Sequence, residues 1–259
     1  MHPKLRSGNT LFKGGDNCHV FYFRDLTVLA RTDGIEKSTK MTPTPQAFTP
    51  KEWKVICQNR TPYQVQQYLN KLAYNHEKSG ETLHTFRWVV RNQSAHCLEA
   101  ALSAAVILEQ HGYPTLLLDL ESQDDLDHVL FLYRKRGKWG TVARSRDPGL
   151  HGRKPVFRTL RQLVDSYADP YIDFSGRIVG FGVGNLADLG NYDWRLSEQN
   201  VWKVERFLIE MPHRRYHMSH QRYQYWHKRY VNYRKRYPHR KPLYFPNRRC
   251  WTSGYAKNL

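Results

Sequence analysis

The feature that most limits how this chain can fold is an Ala-rich apolar run from Ala95 to Gln110, carrying almost no charge. A helix apolar on nearly every side has to be enclosed by other elements, so it must lie inside a layered domain. Ser94 reads as its N-cap, and Gly112 and Pro114 mark its exit. Thr115 to Leu120 follows as a short apolar run of the buried-strand kind, then a polar loop from Glu121 to Asp127. His128 to Arg134 and Trp139 to Arg144 flank an Arg-Gly-Lys turn, the pattern of a hairpin. Helices, a buried helix and then consecutive antiparallel strands predict an α+β fold.

Upstream, Thr49 and Thr61 each precede Pro and are followed three residues later by Glu52 or Gln64. This is the capping-box arrangement with Pro at the first helical position. The second of these helices is expected to run to about Gly80. Thr85 to Val90 is too short to assign by period. A helix is expected over Thr159 to Tyr167, and a strand pair around Arg177 to Val183 and Trp202 to Glu210. Residues 1–48 read as an extension with a strand at His19 to Arg24 and a Thr/Pro-rich linker from Lys40 to Phe48. The domain itself is expected to span 49–210, and 211–259 forms a C-terminal extension.

Charge separates the last two parts. The net charge of +18 is concentrated after Glu210, where 13 Lys and Arg residues meet no Asp or Glu. The first 210 residues hold 28 basic against 23 acidic side chains, an ordinary globular balance. In the extension Tyr216, Tyr223, Tyr230 and Tyr237 recur every seven residues, predicting an aromatic stripe on a helix that ends at Pro238. Arg222, Lys228, Arg229, Arg234, Lys235 and Arg236 are its candidate polyanion-binding residues, suited to nucleic acid or an acidic protein. His213, His217 and His220 read as a His-rich surface of that helix, with no nearby acid or Cys to complete a metal site. The glycines of Gly180 to Asn185 read as strand-turn glycines; no phosphate-loop Lys follows them.

No apolar run reaches membrane-spanning length, and the N-terminus has no apolar signal core. Cys18, Cys57, Cys97 and Cys250 lie far apart, which suggests neither a zinc knuckle nor a disulfide framework. A reducing, cytoplasmic setting is expected.

Cys97 falls in the first turn of the apolar helix, where the helix dipole favours a thiolate. His128 opens one hairpin arm and Asp147 closes the other, so the turn brings an imidazole beside a carboxylate. Pro148 after Asp147 ends the strand. Singly, each has an ordinary reading: a core Cys, a polar strand cap, an Asp-Pro turn. Together, in this order, they resemble the transglutaminase-like superfamily, which includes peptide-cleaving, amide-crosslinking and arylamine N-acetyltransferase relatives. The resemblance covers roughly Thr49 to Asp147, and more loosely extends to Glu210. It implies Cys97 as nucleophile, His128 as general base and then acid, and Asp147 as the group orienting His128. It also implies a protein, peptide or small acyl-donor substrate, and no metal or other cofactor. The approach Gln93, Ser94, Ala95 and His96 departs from the glycine-rich one common in the family; Gln93 and the Cys97 N–H are the candidate oxyanion-hole donors. The competing expectation is an inactive scaffold whose basic tail binds nucleic acid or a large anionic assembly.

Overall fold

The computed structural model describes residues 42–242 and 248–251; the strand expected at His19 to Arg24 and Cys18 lie outside them. The fold is α+β. Helices α1 (Pro50–Gln58) and α2 (Pro62–Lys71) start where the Thr-Pro signals fall. The capping box is complete at Thr49 and Glu52. At Thr61 only half of it forms: Oγ1 accepts from the Gln64 N–H, but the Gln64 side chain turns to the Thr61 hydroxyl. Helix α2 stops at Lys71, well before Gly80, because the chain turns into strand β1 (Ala73–Tyr74). Thr85 to Val90, left unassigned by period, lies largely in α3 (Phe86–Asn92).

Strand β1 pairs in parallel with β2 (Ser94–Ala95), and this changes where the apolar helix begins. Ser94 is held in strand pairing, so the N-cap is His96 and α4 runs Cys97–Glu109. Cys97 is thus the first helical residue, two positions nearer the N-terminus of the helix than a Ser94 cap would place it. Every residue from Leu98 to Leu108 is buried, as the all-round apolar pattern requires.

Six strands form the main sheet: β3 (Leu116–Ser122), β4 (His128–Lys135), β5 (Lys138–Val142), β6 (Arg153–Phe157), β7 (Ile178–Asn185) and β8 (Arg214–Arg215). The order is β6-β5-β4-β3-β7-β8, and every neighbouring pair is antiparallel. Arg136 and Gly137, both at positive φ, make the β4–β5 turn, the backbone shape whose twist suits a two-residue hairpin. Gly180, Gly182 and Gly184 all lie within β7.

Both faces of the sheet are covered. Leu117, Val129, Phe131 and Val142 pack against the α1–α4 side, where α4 lies along β4. Leu118, Leu120, Leu130 and Leu132 pack against α5 (Leu160–Tyr171), capped by Thr159. Trp202 to Glu210, expected as a strand, is helix α6. Val201, Val204 and Leu208 are its buried positions, a spacing of three and four that only a helix brings to one side. The aromatic segment forms α7 (His220–Arg236) and docks on the α5 side through the Arg222–Asp169 ion pair (2.6 Å) and Phe174 against Tyr230. Tyr216 precedes this helix, so the stripe is shorter than its seven-residue repeat suggests. His213 and His217 precede it too, and the three histidines do not share one helix. Among the described residues no helix is long and apolar enough to cross a membrane.

Candidate active site

Cys97, His128 and Asp147 line one cleft of about 220 Å³, between the N-terminus of α4, the start of β4 and the loop after β5. Tyr74, Tyr171 and Tyr230 contribute aromatic surface, and Lys241 and Pro242 of the C-terminal extension close one side. Five carboxylates line it (Glu77, Asp124, Asp127, Asp147, Asp173) against Arg146 and Lys241, opposite in sign to the chain as a whole.

Cys97 is half-buried and unbridged. Burial pushes its thiol up, but hydrogen bonds and charge from His128 and His96 outweigh that and bring it down to about 5. Its place at the first position of α4 adds the unpaired N–H groups of a helix start, which also favour an anion. His96, the residue before it, also bonds the sulfur. Burial works against its charge, yet the bond to Cys97, the Cys97 charge and Glu99 raise it to about 9. The two shifts share one cause: the Cys97–His96 contact favours the charged form of each.

His96 also caps the helix. Its Nδ1 accepts from the Leu98 N–H at 3.3 Å, and its Nε2 lies 2.9 Å from the Thr82 carbonyl. With Nε2–H given to that carbonyl, Nδ1 is the acceptor for Leu98, a role it loses when it is protonated. Glu99, wholly buried at the third position of α4, holds this corner together. It accepts from the His96 N–H (3.0 Å), the His84 N–H (3.0 Å), Thr82 Oγ1 (3.3 Å) and Asn75 Nδ2 (3.1 Å).

His128 is buried at the first residue of β4. Its Nε2–H donates to the Leu150 carbonyl at 2.8 Å, which leaves Nδ1 for Cys97. Asp147 reaches the same cleft, but its carboxylate is engaged elsewhere. Lys241 Nζ lies 2.5 Å from one oxygen and Arg146 Nε 3.6 Å from the other. The β4–β5 register explains the arrangement. Phe131 pairs with Val142, β5 ends there, and Asp147 lies beyond the strand at the start of a single turn, Pro148–Leu150. That turn carries the Leu150 carbonyl back under the imidazole.

Gln93 is not brought to the cleft. It is exposed at the C-cap of α3 in left-handed conformation (φ 54°), and its amide donates to the Val90 carbonyl at 2.8 Å. The candidate oxyanion donors are therefore the N–H groups at the start of α4. On α7, Lys228, Arg229, Lys235 and Arg236 are exposed, while Arg222 and Arg234 are half-buried, Arg222 on Asp169 and Arg234 over the Tyr230 ring at 6.0 Å.

Two site residues carry no obvious sequence signal. His96 differs from the Ser, Thr, Asp or Asn that usually cap helices. Asp119 lies on β3, buried, with one oxygen 3.2 Å from His213 Nε2 and the other without a partner; burial raises its carboxyl strongly. Among the described residues no three His, Cys, Asp or Glu are arranged to hold a metal ion. Neither a protein-family model nor a curated protein matches this chain.

Proposed function

We propose that this chain is a transglutaminase-like thiol enzyme that acts on an amide or ester through an acyl-enzyme at Cys97. The observation that carries the reading is a cysteine at a helix N-terminus, bonded by two imidazoles whose hydrogen bonds and charge bring its thiol down to about 5. A structural cysteine in an apolar helix has its thiol raised, not lowered. The order of helix-borne Cys97, strand-borne His128 and then Asp147 on an antiparallel sheet supports the superfamily resemblance.

In this reading the thiolate adds to the acyl carbonyl, and the start of α4 offers N–H groups to the developing oxyanion. His128 Nδ1, which takes up the Cys97 thiol proton as the thiolate forms, passes that proton to the leaving amine or alcohol, and the C–N or C–O bond breaks to leave a thioester. Water, deprotonated by the same nitrogen, then releases the acid and restores the thiolate. An amine in place of water completes acyl transfer, but nothing in the cleft marks a dedicated amine site, so hydrolysis is the default. Leu150 supplies the acceptor that keeps His128 in the required tautomer, and Asp147 is a rim carboxylate of the same cleft.

The test is direct capture of the acyl-enzyme. The protein is mixed with a panel of activated esters and short amides, and intact mass and peptide mapping follow the adduct. A transient acyl mass on Cys97, absent in Cys97→Ser and accumulating in His128→Ala, is expected. No Cys97 adduct with any ester would refute the reading.

A second reading, polyanion binding by the extension, is favoured by the cluster of exposed Lys228, Arg229, Lys235 and Arg236 on α7. It concerns a surface other than the acidic cleft, so the two are compatible. Replacing these four by Gln should sharply weaken retention on heparin; unchanged retention refutes it.

A further inference from the structure

We propose that Arg153 is a positioning residue for His128, acting through the backbone of residues 149–151; the proposal rests on His128 being the base for Cys97. Arg153 opens β6 and is wholly buried. Among the described residues no carboxylate pairs with it. Its donors go to oxygens of the backbone and of Ser166: Nη1 to the His151 carbonyl (2.6 Å), Nη2 to the carbonyls of Gly149 (2.7 Å) and Ser166 (3.0 Å), and Nε to Ser166 Oγ (3.1 Å). The guanidinium plane also lies over the Tyr167 ring at 3.9 Å.

Two of those acceptors flank the residue that matters. Leu150 stands between Gly149 and His151, and its carbonyl is the acceptor for His128 Nε2–H. Fixing the carbonyl before it and the carbonyl after it fixes the peptide plane in between, and with it the direction of the Leu150 oxygen. Tyr167 adds to the clamp, donating its hydroxyl to the His151 carbonyl at 3.1 Å. A rigid fork of donors is suited to this, since a lysine ammonium on a flexible stem cannot hold two such carbonyls in fixed relation.

The energetics argue against mere filling. Burying a cation without a counter-ion costs stability, and an apolar side chain would occupy the space at lower cost. What the guanidinium adds is geometry: it keeps a neutral carbonyl where a thiol enzyme of this kind needs an acceptor. Asp147, whose carboxylate lies on Lys241, does not supply one.

The test uses the full chain with ring-¹⁵N-labelled histidine, in Arg153→Lys, Arg153→Met and the milder Tyr167→Phe, with thermal melts in parallel. The first readout is the His128 Nε2–H resonance and its exchange with solvent. The second is the pH profile of Cys97 alkylation, followed peptide by peptide. In folded Arg153 variants the Nε2–H signal should be lost to exchange, and the Cys97 midpoint, about 5 in wild type, should rise by at least about one pH unit. At pH 5 a rise of about one unit makes alkylation about twofold slower once the greater nucleophilicity of the more basic thiolate is counted. Tyr167→Phe should move both readouts in the same direction by less. A folded Arg153→Met with a wild-type Nε2–H signal overturns the proposal. If both Arg153 variants fail to fold, an unchanged signal in Tyr167→Phe overturns it instead. Should wild-type Cys97 titrate as an ordinary thiol, the reading of the site fails, while the Nε2–H measurement still decides the role of Arg153.

Discussion

Replacing His128 by Ala gives a prediction whose sign depends on pH. In the wild type the Cys97 midpoint of about 5 leaves roughly three-quarters of the sulfur as thiolate at pH 5.5. Without His128 the thiol moves toward its ordinary value of about 8.5, and about one molecule in a thousand is ionised at that pH. A more basic thiolate is also a better nucleophile. With a Brønsted coefficient of about 0.4–0.5, a rise of about 3.5 units returns a factor of roughly 25–55. The variant should therefore react about 15–30 times more slowly at pH 5.5, at nearly the wild-type rate at pH 7, and about 20–40 times faster at pH 9. His96 still faces the sulfur in the variant, so these are upper figures. The assay is exchange with dipyridyl disulfide in a background of Cys18→Ser, Cys57→Ser and Cys250→Ser, across the whole pH range. A single measurement at neutral pH would miss the effect. Superimposable wild-type and variant curves, or a wild-type rate that climbs tenfold per pH unit up to pH 8, would refute the reasoning.

Three further outcomes follow from the same geometry. His96→Ser keeps a side chain that can cap α4, so its stability should exceed that of His96→Ala by about 1 kcal/mol in urea melts, while both raise the Cys97 midpoint. Because His96 is held up at about 9, the stabilisation it gains from the thiolate is lost as pH rises through 9; the gap between wild type and His96→Ser should close across that range. Gly152→Ala would put a Cβ 2.2 Å from Gln66 Oε1 and 2.5 Å from the Thr141 carbonyl, and it should cost about 1–3 kcal/mol by chemical denaturation; an unchanged midpoint would contradict the packing. Lys241→Ala breaks a partly exposed ion pair, so melting should show a loss of less than about 1 kcal/mol, yet bulky thiol reagents should reach Cys97 several-fold faster while small ones do not.

The sequence made the layered α+β arrangement legible because the strongest patterns were long or strongly biased. The all-apolar run became α4, the Arg-Gly turn became the β4–β5 hairpin, and the Thr-Pro signals started α1 and α2. Errors arose where a distant partner or a short period decided the outcome. Ser94 has the right chemistry for an N-cap, but pairing with Ala73 holds it in a strand. Trp202 to Glu210 mixes apolar and charged residues densely enough to suggest alternation, and only the burial of Val204 and Leu208 reveals a helical period. Within the site, side-chain order pointed to Cys97, His128 and Asp147 as neighbours of one cleft. The acceptor on His128 is the Leu150 backbone carbonyl, a group every residue owns, so no residue identity announces it. Arg153 likewise resembles any strand arginine until its burial is known.

The cleft wall formed by Lys241 and Pro242 has a consequence for biosynthesis. Cys97, His96 and His128 are synthesised well before this wall and Tyr230, which follow nearly a whole domain later. Leu150 and the Arg153 that steadies it emerge soon after His128, but the sheet is finished only when β7 and β8 have joined it. A nascent chain thus has Cys97 and its two imidazoles well before it has the residues that wall the cleft. On the thiol-enzyme reading proposed above, folding of α7 onto α5 and the placement of Lys241 and Pro242 would be the step that narrows access to Cys97.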